Sequence, residues 1–181
     1  PLIAINSSIV QSWIEGDYQS NSNIISGIFN FGIMIRNFKG ISNAGNGVVF
    51  GNSYFITILD SIVLAKNSSV SFSTSSFYLL GRSQLGNLST SGTSEVAYLN
   101  NSQSGVINQV TLANTYYYGI SYPSIDTVIA NVTGANINGQ FIHSFQGSTP
   151  IYMLVNNALG INAGDINHWR GGGNTYSQLL M

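Results

Sequence analysis

From about residue 24 onward, apolar and polar positions alternate with a period of two, the mark of strands that bury one face. Phe29, Phe31, Ile33 and Ile35 share a parity and predict a strand with all four side chains on its core face. Tyr54, Ile56 and Ile58 repeat the pattern, with Ile62 to Leu64 following Asp60. Val70 and Phe72 alternate with Ser71 and Ser73. Phe77 to Leu80, Val96 to Leu99, Val106 to Leu112 and Val128 to Val132 are further candidates. Phe141, His143 and Phe145 share a parity, as do Ile151, Met153 and Val155. Turn formers separate these runs at Asn43 to Gly47, Gly86 to Thr93, Asn100 to Gly105, Tyr122 to Ser124, Asn138-Gly139 and Gly147 to Pro150.

One short helix is conceivable at Ser8 to Glu15, where Ser8 and Gln11 have capping-box spacing. The same stretch reads equally as extended, because Leu2 to Ile5 and Ile9-Val10 are apolar and β-branched. The fold class is therefore all-β. A β-sandwich suits many short strands with turn signals between them. A right-handed parallel β-helix is the alternative, and it requires rungs of near-constant length. The pairs Ala113-Asn114, Ala130-Asn131 and Val155-Asn156 come nearest to a repeat, but their steps are unequal. The expectation is a sandwich over 24–181, preceded by an arm and linker over 1–23.

Composition narrows the function. Charged residues are 6% of the chain against about 25% in ordinary soluble domains. With five cations, six anions and a net charge of −1, there is no basic footprint for nucleic acid. Cysteine is absent, and His143 and His168 are the only imidazoles. No metal-ligand spacing stands out among them and Glu15, Asp17, Asp60, Glu95, Asp126 and Asp165, so neither metal nor cofactor is expected. The longest apolar run, Ile24 to Ile35, is too short and too polar to span a bilayer. Pro1 and the lack of a basic start suggest a mature or excised product.

Catalytic candidates are few. Glu15 and Asp17 read as a solvated turn. Asp165 and His168, beside Trp169 and Arg170, form the densest reactive cluster, yet no Gly-x-Ser-x-Gly nucleophile motif accompanies them. A glycosidase would need two carboxylates about 5–9.5 Å apart. Asp60, Glu95 and Asp165 are available, and nothing in the sequence brings them together. His143 and Tyr116 to Tyr118 read as packing residues. No catalytic residue is assigned, and the chain is read as a non-enzyme.

Sheet edges in monomers are usually guarded by Lys, Pro or inward charges. Here Lys39 and Lys66 are the only lysines, and Pro1, Pro123 and Pro150 the only prolines. An unguarded β protein tends to associate edge to edge, which suggests a head-to-tail homopolymer built by strand donation. The terminal apolar arm supplies the donor residues Leu2, Ile3, Ile5, Ile9, Val10, Trp13 and Ile14, with Gly16 to Asn23 as linker. With so few acids to protonate, stability is expected to vary little with pH.

This whole-chain pattern of Ser, Asn, Gly and Tyr without cysteine, almost without Lys and Glu, and with an apolar N-terminal arm resembles the extracellular thread-type filament subunits of thermoacidophilic archaea. The resemblance implies an immunoglobulin-like sandwich at the cell surface whose N-terminal strand fills the next subunit. It also implies N-linked glycans on the five Asn-x-Ser/Thr sequons, at Asn6, Asn67, Asn87, Asn100 and Asn131. Lys39 or Lys66 would supply the amine of any isopeptide link. The rival expectation is a viral tailspike or receptor-binding β-helix fragment that binds or cleaves polysaccharide.

Overall fold

A computed structural model describes residues 2–5, 12–88, 95–100, 102–115, 117–121, 127–137, 142–143, 152–161 and 176–180. The described chain is all-β and coils into rungs. The first rung holds β1 (Ile3–Ile5) and β2 (Ser12–Ser20), and the second β3 (Ile25–Ile28) and β4 (Phe31–Ser42). The third is split into β5 (Val48–Gly51), β6 (Tyr54–Leu59) and β7 (Ile62–Ala65). Next come β8 (Val70–Ser73) with β9 (Ser76–Asn87), then β10 (Ala97–Asn100) with β11 (Val106–Thr115). Then follow β12 (Ile120–Ser121) with β13 (Thr127–Ile137), β14 (Ile142–His143) with β15 (Tyr152–Ile161), and β16 (Tyr176–Leu180).

Every pairing between these strands is parallel. One sheet runs β1-β3-β5-β8-β10-β12-β14, and the other runs from β16 to β2 with β7 beside β4 and β9. The architecture is thus a β-solenoid. The expected sandwich is corrected, since its packed sheets are made of antiparallel strands. The alternative of stacked rungs is the one that matches. Residues 12–15, where a short helix was conceivable, lie in strand β2.

Periodicity is visible in the buried columns. Ile25, Val48, Val70, Ala97, Ile120 and Ile142 stack in one inward column of the first sheet. Ile35, Ile58 and Leu80 stack in the second. Each column places β-branched or apolar side chains about 4.8 Å apart, so one core runs through the described rungs from Ile24 to Ile142. Gly27 is part of this fit: a Cβ there would run into the Phe50 ring and the Asn30 amide.

The corners, where a parallel ladder cannot close its own hydrogen bonds, are stitched by buried serines. The Ser53 N–H donates to Ser75 Oγ at 3.3 Å and the Ser75 N–H to Ser102 Oγ at 3.3 Å. At a second corner, the Phe38 N–H donates to Ser61 Oγ and the Ser61 N–H to Ser83 Oγ. Each hydroxyl of this second set donates onward to the carbonyl two residues before it.

Candidate functional site

Each rung turns from the first sheet into the second within residues 28–32, 51–55 and 73–77. Two columns of left-handed residues make the bend. Phe29, Asn52 and Thr74 have φ of 58°, 47° and 52°, and Gly32, Phe55 and Phe77 have φ of 72°, 55° and 57°. Between them sits the buried column of Asn30, Ser53 and Ser75, where the Asn30 N–H donates to Ser53 Oγ at 3.1 Å.

A left-handed residue interrupts the alternation of faces along an extended chain. The expected parity therefore fails at this corner. Ile33 and Ile35 are buried, but Phe29 and Phe31 point outward; Ile56 and Ile58 are buried, but Tyr54 points outward. Ile28, Phe29, Phe31, Tyr54, Phe55 and Phe77 are each 46–63% exposed. Phe31 meets Phe55 edge to face at 4.9 Å between centroids, and Phe55 stacks on Phe77 at 5.0 Å and 10°. These separations match the spacing of neighbouring strands. The result is an exposed aromatic ridge running along the solenoid.

Phe55 and Phe77 each cover one face of the other's ring. With Phe29, Phe31, Tyr54 and Ile28 they make a mainly hydrocarbon surface, suited to contact with another apolar surface.

The segment expected to be a donor arm lies in the chain's own first rung. Ile3 and Ile5 are half-buried opposite Ile25 and Gly27, and Ile14 is half-buried opposite Ile35. Leu2 and Trp13 are exposed, with the Arg36 guanidinium 4.6 Å from the Trp13 ring. Ile9 and Val10 lie outside the described residues. Glu15 and Asp17, expected in a turn, lie within strand β2, whose register against β4 shifts between Ile14 and Gly16.

Among the sequons, Asn67 and Asn131 are exposed, Asn100 is half-buried and Asn6 is outside the described residues. Asn87 is buried and its Nδ2 donates to Thr115 Oγ1 at 3.2 Å, which leaves no room for a glycan there in the folded chain. Lys39 is exposed opposite Asp17, beside an open depression lined also by Tyr18, Gln19 and Ile41. Lys66 is exposed after β7.

Asp60 and Glu95 occupy different corners. Asp60 follows β6 and is exposed, and Arg82 grips both its oxygens at 2.7 and 2.8 Å. That hydrogen-bonded guanidinium holds the carboxyl below its ordinary range. Glu95 precedes β10, and partial burial pushes its carboxyl upward. The Tyr78 phenol is pushed up to about 12 by burial and shares a 3.2 Å hydrogen bond with Thr127. His143 stacks on Tyr118 at 4.1 Å and 5°, a packing role. Asp126, Asp165 and His168 lie outside the described residues. Among the described residues no three His, Asp or Glu side chains gather as a metal site, and no helix is long and apolar enough to cross a membrane. Comparison with protein-family models, with curated proteins and with solved structures found no match.

Proposed function

We propose that this chain is a non-catalytic structural subunit of an extracellular surface filament, growing head to tail by stacking the rungs of successive copies. One observation carries the reading. Ile3, Ile5, Ile14 and Tyr18 pack on the core but stay half-buried, whereas Ile25 and Ile35, one rung inward, are fully buried. The outer side of that rung is an apolar stacking face. A solenoid is a one-dimensional stack held by nearest-neighbour contacts, so a rung from a second copy adds by the same pairing. The contact is heterologous and generates an open fibre. In this form the residues read as a donor arm serve as a stacking face rather than as an inserted strand.

Negative-stain electron microscopy of the full chain beside an Ile5→Asp/Ile14→Asp variant tests the proposal. Rods from the wild type and short particles from the variant are expected. Short particles from both would overturn it.

The second reading is a tailspike-like solenoid that holds polysaccharide, favoured by the exposed rings of Phe29 and Tyr54. Saccharide binding that is lost in Tyr54→Ala would support it.

A further inference from the structure

We infer that the aromatic ridge is the contact by which two copies of this chain pair side by side, an association distinct from end-to-end growth. Its area fits. Aromatic side chains bring roughly 150–250 Å² each, so five half-exposed rings and Ile28 leave on the order of 500–700 Å² on one copy. The largest apolar patch on a typical monomer is about 300–600 Å². Two such ridges bury on the order of 1,000–1,400 Å² together, enough for a specific dimer.

The backbone points the same way. Phe29, Phe55 and Phe77 all hold positive φ. Bulky L-residues rarely adopt that conformation, whereas Asn, Asp and Gly enter it readily. The same columns carry Asn52 and Gly32, so the corner itself does not require phenylalanine. An exposed ring held in an unfavourable backbone well is accounted for by a contact outside the chain.

The occupant follows from chemistry. Residues 28–32, 51–55 and 73–77 contain no charged side chain, and the whole chain carries −1, so two copies approach with little repulsion. A lipid surface selects for cations beside its apolar anchors, and this corner has none. A glycan stacks on open ring faces, and Phe55 and Phe77 each give one face to the other. A second solenoid presents the same repeat of about 5 Å, so the two ridges interlock rung by rung about a two-fold axis.

Sedimentation velocity on the full chain, at concentrations below those at which rods form, tests this, with Phe29→Asn/Phe55→Asn/Phe77→Asn as the variant, since Asn suits the backbone at all three positions. The wild type should dimerise, and the variant should bind itself at least about 100-fold more weakly, with an unchanged or higher thermal midpoint. The chain has no cysteine, so Ser76→Cys on the ridge flank should cross-link copies, while Ser71→Cys on the outer face of the first sheet should not. In micrographs, wild-type rods should be two solenoids wide and variant rods one wide at equal length. Dimers without rods would sink axial growth and leave the lateral pair standing. A wild type that remains monomeric at about 100 μM, or a variant that dimerises equally well, overturns the inference. Monomers that bind phosphatidylcholine vesicles or a soluble polysaccharide would assign the ridge to that occupant instead.

Discussion

Asp60 and Arg82, 22 positions apart in sequence, lie on successive rungs and form a two-pronged ion pair at 2.7 and 2.8 Å. Both are exposed, so solvent and salt screen the pair. The depressed folded value of Asp60 means that its stabilisation is present above the unfolded carboxyl value of about 4. It is lost as pH falls through the folded value. Asp60→Asn should therefore lower the urea midpoint slightly at pH 7 and at pH 5. The difference from wild type should vanish in strong acid, and a difference that persists there would refute this account.

Glu95 works in the opposite sense. Its carboxyl is raised by burial, so its ionised form is disfavoured in the folded chain. It subtracts stability above its folded value, and this loss is relieved as pH falls toward the unfolded value of about 4.3. Glu95→Gln should be more stable than wild type at pH 7 and indistinguishable from it at low pH. Denaturation across a pH series checks both acids, whose opposed slopes flatten the response to acid.

The serine ladders predict a contrast between corner and face. Ser61 Oγ accepts from the Phe38 N–H and donates to the Leu59 carbonyl at 2.6 Å, both within a buried corner. Ser61→Ala strands two backbone groups and should cost about 1–3 kcal/mol in chemical denaturation. Ser71→Ala, on the outer face of β8, should stay within about 0.5 kcal/mol.

Glycine positions divide by space. A Cβ on Gly47 would meet Val63 Cγ1 and the Ser69 carbonyl oxygen, so Gly47→Ala should destabilise by about 1–3 kcal/mol. At Gly51 a Cβ meets only Ile28 Cγ1, at 3.9 Å. Gly51→Ala should leave the thermal midpoint nearly unchanged; equal effects at the two sites would contradict the packing described.

The strands themselves were legible: Ile33/Ile35, Ile56/Ile58 and Val70/Phe72 alternate as buried-face strands should. The rung was not, because Ala113-Asn114, Ala130-Asn131 and Val155-Asn156 lie at different places on it. Ala113 lies opposite Ala135, whereas Ala130 lies opposite Asn108 and Asn156. Matching one strand end to another corner produced unequal steps. Ser53 with Ser75, and Phe50 with Phe72, carry the true period, but short polar and single aromatic matches are easily lost in a chain rich in both. The ridge was hidden for a different reason. Period-two parity assigns Phe29, Phe31 and Tyr54 to the core unless the left-handed residues that interrupt it are known, and Phe55 is an unusual residue to find in that conformation.

The one-rung spacing of partners also sets how the chain can be made. Neighbouring strands pair across 21–27 residues, as in Ser12 with Ile33 and Leu79 with Val106. Synthesis at roughly 5–20 residues per second delivers such a length every few seconds, while closing a short loop takes far under a millisecond. Each new rung therefore has its pairing partner, the preceding rung, already synthesised when it emerges. At any moment the nascent protein shows a single growing edge, and no strand waits for a distant partner still to be made.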